Sequence, residues 1–174
     1  LSSPMLAGRK DVQCLQFHYY LSRLVQVPDG VPVISAAVKG PQYYLAWARN
    51  ARELLRGEWT PVELAFKLEK DFKIEFRCNL MYKEYNSPYC AIDAIRLGDC
   101  KGNRIHQDGL CNFEDGWCSW KNNEEWSNRP AWQLGGGTMK TTLLRPPHDH
   151  TFGNVTPAGS YLFFNNYQRR AGDQ

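Results

Sequence analysis

Two short stretches of this 174-residue chain carry side chains able to do chemistry. CNFEDGWCSW (111–120) sets Cys111 and Cys118 on either side of Glu114 and Asp115, and PPHDH (146–150) ends on His148, Asp149 and His150. A cysteine pair can clip a metal, run a redox cycle or staple a turn. Metal clips and thioredoxin-type centres use C-x-x-C spacing, which none of the six cysteines (14, 78, 90, 100, 111, 118) has. His148, Asp149 and His150 offer donors that zinc accepts. Catalytic zinc, however, needs three converging ligands and an open position, and no H-E-x-x-H helix accompanies them. Glu114 and Asp115, with Asp93, suit a hard cation such as calcium. Equally, carboxylates in turns cap backbone amides or stand in water.

Covalent catalysis has no support in the chain. There is no G-x-S-x-G elbow and no Ser-His-Asp order in strand context. No pair of carboxylates is singled out for glycoside hydrolysis. The expectation is a non-enzyme with no catalytic residue.

Net charge is +3, with Lys and Arg interspersed among Glu and Asp and one basic doublet at Arg169-Arg170. Nucleic-acid binding needs a contiguous basic stripe, so it is set aside. No apolar run reaches the ~18 residues of a membrane helix, so no membrane insertion of this segment is expected. LSSPMLAGRKD lacks the charged and apolar regions of a signal peptide, and the chain reads as a piece of something longer. An even cysteine count among many Trp, Tyr and turn residues favours an oxidising, extracellular setting. The tripeptide Asn154-Val155-Thr156 adds a glycosylation acceptor at Asn154, with Pro157 directly after it working against its use.

These residues need elements to position them, and the pattern predicts short strands. CLQFHYYL (14–21) alternates, with Leu15, Phe17, Tyr19 and Leu21 on one face. VPVISAAV follows a Pro-Asp-Gly turn at 28–30. Val62, Leu64, Phe66 and Leu68, then Phe72, Ile74 and Phe76, share parity on two strands around Glu69-Lys70-Asp71. SYLFFNN (160–166) reads as another. ARNARELLRG (48–57) is rich in helix formers and ends on glycine, leaving a helical turn and a long loop equally open. KGNRIHQDG after Cys100 reads as a linker. The whole predicts an all-β, antiparallel, jelly-roll-like sandwich of two sheets.

Residues 111–166 resemble the first half of a MAM domain, the module of meprin, neuropilin and receptor tyrosine phosphatase mu. CNFEDGWCSW, then PPHDHTFGNVTPAGSYLFF (146–164) with Asp149-His150-Thr151, carry the likeness. Residues 1–100 resemble the second half, through LSSPML, CLQFHYYL, Trp59, IEFRCNL and CAIDAIRLGDC. The family often carries two consecutive acidic residues where this chain has Asp93-Ala94. The order is thus second half (1–100), linker (101–110), first half (111–174). Either the chain holds the end of one module and the start of the next, or the halves pack as one permuted sandwich.

The resemblance implies pairing of Cys111 with Cys118 and of Cys14 with Cys100. The remaining Cys78 and Cys90 flank a turn at 84–88, where a cross-strand pair is sterically natural; free buried thiols are the alternative. It also implies that Asp149 and His150 hydrogen-bond to backbone in a turn. It places a cation in some modules near residues such as Glu114 and Asp93, which meet only in the permuted fold. The implied role is adhesion within a membrane receptor or matrix protein, through homophilic or heterophilic contacts with other extracellular proteins. A lectin-like carbohydrate-binding sandwich using Trp117, Trp120, Trp126 and Trp132 is the alternative. At least two of those four are expected to be buried.

Overall fold

Alternation in the sequence becomes two antiparallel sheets in the computed structural model, which describes residues 1–23, 30–50, 57–80, 88–123, 132–136, 145–153 and 159–165. Its strands are β1 (Arg9–Leu21), β2 (Pro32–Lys39), β3 (Tyr43–Asn50), β4 (Trp59–Leu68), β5 (Lys73–Cys78), β6 (Tyr89–Asp99), β7 (Gln133–Gly136) and β8 (Ser160–Asn165). One sheet runs β4-β1-β6-β8-β7 and the other β3-β2-β5. Isolated bridges extend the smaller sheet past β5, from Glu75 to Ser2 and from Ser2 to Lys121.

Leu15, Phe17, Tyr19 and Leu21 of β1 face the core with Ile34, Ala36 and Val38 of β2 and Ile74 and Phe76 of β5. The two strands around Glu69-Lys70-Asp71 lie where parity predicts them but in different sheets, so this turn carries the chain across the sandwich. Phe17 meets Phe76 and Trp47 edge-on across the gap, at ring centroid distances of 4.8 and 5.4 Å. Edge-to-face pairs of this kind add to the area they bury.

The outer side of β1 is less wet than its polar residues suggest. Tyr20, Tyr89, Ala91, Tyr161 and Phe163 form a second buried cluster on that face, with Trp59 against it. Trp120 and Trp132 are buried and Trp117 packs partly against the core, as expected of the tryptophans; Trp126 lies outside the described residues. Ala48–Asn50, read as the start of a helix or loop, belong to β3, where Ala48 pairs with Ser35 and Arg49 with Ile34. Cross-strand pairing there overrides local helix preference. The rest of that stretch, 51–56, is outside the described residues.

Residues 101–110 form a packed turn. Asp99 accepts hydrogen bonds from Gly102 N on its carbonyl and from Asn103 N on its side chain (2.8 Å), and Gly102 takes φ 78°. The chain then returns along β6, with Ile105 bridging Gly98 and Cys111 bridging Ile95. His106 is buried, and its Nε2 donates to Gln13 Oε1 (2.9 Å). Beyond this turn, β8 pairs with β6 from Tyr89↔Asn165 to Ile92↔Leu162, so elements from both parts of the chain share one sheet.

All six cysteines are bonded: Cys14–Cys100, Cys78–Cys90 and Cys111–Cys118. The first joins residues 86 apart in sequence, so chain-entropy reasoning gives it about 4–5 kcal/mol. Replacing Cys14 and Cys100 together by Ala is expected to lower unfolding free energy by about that amount in denaturant titration. A loss below about 1 kcal/mol would show that the bond adds little to the packed sheet.

Candidate functional site

The site begins with one irregularity in β6. Between the pairs Gln16↔Arg96 and His18↔Asp93, β6 holds one residue more than β1, and Ala94 takes φ 51°. This bulge re-aims the strand, as extra residues in a ladder do. Asp93, beside it, has no solvent exposure. Its Oδ1 accepts from Ala94 N (2.6 Å) and its Oδ2 from His150 N (3.0 Å).

The segment 145–153 is thereby tied to the sheet at several points. Trp59 Nε1 donates to His148 O (3.0 Å), and Tyr161 Oη donates to Pro146 O (2.7 Å). Asp149, buried, closes its own turn by accepting from Phe152 N (2.7 Å). His148 Nδ1 donates to Asp149 O (2.8 Å). Of the expected backbone bonds, Asp149 makes one through its carboxylate. His150 makes its bond through the main chain, because its ring is used elsewhere. That ring stacks on His18 with centroids 3.4 Å apart. Both Nδ1 atoms are buried and have no hydrogen-bond partner among the described residues.

Glu114 joins from the stapled loop, its Oε1 accepting from Ser160 N (3.2 Å). Gly159 completes the packing: its φ is 134°, and a Cβ there would lie 2.3 Å from Asp149 Oδ1. Glu114, from the other part of the chain, is thus near enough to act on Asp93, with Asp149 acting on both.

Electrostatics follow from enclosure. Burial raises the Asp93 carboxyl to about 7; hydrogen bonds from Ala94 and His150 oppose this, while the charges of Asp149 and Glu114 add to it. Glu114 is raised by burial, against the Ser160 bond and with Asp149 and Asp115. Burial, then the neighbouring His150, lowers His18 to about 4. His150 is lowered by burial although Asp149 pulls the other way. The stacked imidazoles are therefore neutral at physiological pH.

Oxygen donors of Asp93, Glu114 and Asp149 are of the kind hard cations take. Among the described residues, however, no three His, Cys, Asp or Glu side chains converge as a metal ion requires. Each of these carboxylates also holds a backbone N–H. Those hydrogen bonds make the arrangement a latch for 145–153. His148, Asp149 and His150 likewise converge on no zinc position. Asn154 lies outside the described residues.

Reasoning from sequence missed His18, Tyr161 and Gly159. Their only signals were a histidine on the outward face of β1 and a Gly-Ser-Tyr entry to β8.

The sequence profile of the MAM domain, meprin/A5/mu, matches residues 1–101, more than half of the chain. The chain belongs to the MAM family. MAM domains are extracellular modules of the adhesion type and generally non-catalytic, and three disulfides suit that setting. No helix among the described residues is long and apolar enough to cross a membrane. No solved structure matches the chain significantly.

Two predictions test the latch. Asp93 has a folded pKa above its ordinary 3.8, so its contribution favours folding below about pH 4 and is lost as pH rises through about 7. His18, shifted down, contributes above about pH 6.5 and loses that contribution as pH falls toward 4. The two oppose each other in one window and need separating by mutation. Asp93→Asn loses one of the two acceptors, a cost that does not change with pH, but escapes ionisation in the enclosed site. Its stability relative to the parent is therefore expected to improve by on the order of 2 kcal/mol between pH 4 and pH 8. Thermal melts at both pH values decide it; a difference from the parent that is independent of pH would exclude a titrating Asp93. Gly159→Ala is expected to cost about 2–4 kcal/mol, since both backbone strain and the Asp149 carboxylate oppose the methyl. Unfolding titration unchanged from the parent would show that the segment yields.

Proposed function

We propose that this chain serves as a non-catalytic interaction module in a membrane receptor or matrix protein, working through protein–protein contacts that include self-association. The observation that carries the reading is the enclosure, among the described residues, of the polar cluster described above. Asp93 is fully buried, the imidazoles are stacked on each other, and Trp59 and Tyr161 hold the covering segment. Its carboxylates and the Trp59 and Tyr161 donors are turned inward to fasten 145–153 onto the sheet. Surface complementarity is then the means of action.

The same reading takes residues 1–100 and 111–174 as the second and first halves of MAM-like modules packed as one sandwich. Pairing of β6 with β8 and the packed turn at 101–110 support it. A carbohydrate-binding role through the tryptophans has weaker support, because Trp120 and Trp132 are buried.

Sedimentation velocity over a range of concentrations tests the proposal. Reversible growth of a dimer or larger species is expected. A strictly monomeric protein that gives a strong, sugar-competable signal on a glycan array would replace adhesion with lectin-type recognition.

A further inference from the structure

β4 is the outermost strand of the five-stranded sheet: it pairs with β1 on one side and, among the described residues, with no strand on the other. Its side chains alternate. Pro61, Glu63, Ala65 and Lys67 are exposed on the outer face, while Val62, Leu64, Phe66 and Leu68 turn toward the core. Leu15 and Phe17 of β1, directly opposite Leu64 and Val62, are fully buried, whereas Val62, Leu64 and Leu68 are only partly so. The edge therefore leaves apolar side chains incompletely covered beside a strand paired on one side.

Edge strands ordinarily carry charge that deters pairing with another chain. On β4 the two charges are of opposite sign and stand two residues to either side of Ala65. A two-fold axis at Ala65, relating two antiparallel β4 strands, sets Ala65 against itself and Glu63 against Lys67 of the second copy, twice over. The apolar row then matches Leu64 with Phe66 and Val62 with Leu68. Pro61, which lacks the N–H that a ladder uses, falls opposite Glu69, one residue past the end of β4.

Other registers that keep the faces aligned lose this match. Centred on Leu64, Glu63 faces Ala65 and Lys67 faces Pro61. Centred on Phe66, Glu63 faces Glu69. Centred on Glu63 or on Lys67, like charges coincide. Within one copy Lys67 pairs loosely with Glu69 (3.8 Å), both side chains 57% exposed, and Glu63 Oε2 accepts from Gln16 Nε2. Both charges thus stay in water, within reach of a second chain.

We propose that two copies of this chain join along this edge, β4 to β4, so that their larger sheets run on as one. Such a joint rests on the self-association proposed above and gives it a surface and a register.

Sedimentation equilibrium of the full chain measures the dimer constant. Glu63→Lys and Lys67→Glu each put like charges face to face at both pairs and are expected to weaken dimerisation about tenfold or more, with thermal melts close to the parent's. An equimolar mixture of these two variants restores both pairs and should dimerise like the parent, a rescue that misfolding cannot imitate. Ala65→Cys, on the axis, should form a disulfide between copies in glutathione buffer, because directly opposed residues lie within reach of one. Leu134→Cys, exposed on β7 at the opposite edge of the sheet, should not. If the parent dimerises but the charge variants dimerise equally well and the Ala65→Cys variant fails to cross-link, the β4 joint is overturned and self-association stands. Cross-linking of the Leu134→Cys variant instead would move the joint to β7. A parent that stays monomeric at every concentration would overturn both.

Discussion

Between Tyr89 and Ile92 the backbone of β6 is bonded to β1 on one edge and β8 on the other, while its side chains are buried on both faces. A strand so placed cannot leave either edge open, because unpaired backbone groups removed from water are costly. That requirement holds the sandwich together. It draws residues 160–165 against a strand seventy positions earlier and brings β7 with them. The stapled loop at 111–118 is set beside the bulge by the bridge of Cys111 to Ile95. Asp93 then meets groups from the other part of the chain because β6 is central; at a sheet edge it would be solvated.

Burial also explains why the latch is polar without being reactive. A carboxylate next to two others would ordinarily seek water or a cation. Here three backbone N–H groups, from Ala94, His150 and Ser160, are spent on Asp93 and Glu114, and Phe152 N on Asp149. The imidazoles contribute stacking without charge. Hydrogen bonds to charged acceptors exceed neutral ones in strength, so the segment 145–153 is held by its own main chain.

Strand parity was legible wherever one face was apolar and the other charged, as in Val62–Leu68 and Leu15–Leu21. It failed to place the strands in sheets: parity is local, and whether a turn keeps the chain in one sheet or carries it across depends on partners far away. The start of ARNARELLRG misled because helix propensity is weak beside a long cross-strand ladder. The opening loop and the His-Asp-His segment were legible as a module's parts by resemblance. Their meeting through Asp93 was not, since a bulge leaves no mark in composition when an alanine adopts it. The aromatic cluster on the outer face escaped notice for a related reason. Tyr20, Tyr89 and Tyr161 come from three distant strands, and only the sheet order makes them neighbours.

The disulfides divide unevenly over this architecture. Cys14–Cys100 and Cys78–Cys90 lie within the first hundred residues and Cys111–Cys118 within the stapled loop; none crosses between the two parts. Oxidation of the cysteines and docking of the two parts are therefore separate events. Each bond can close as its own segment emerges during synthesis, before the strands that will share a sheet have met. Union of the parts then rests on packing, strand pairing and one peptide connection. A single nick within 101–110 would leave two oxidised fragments associated without any covalent tie.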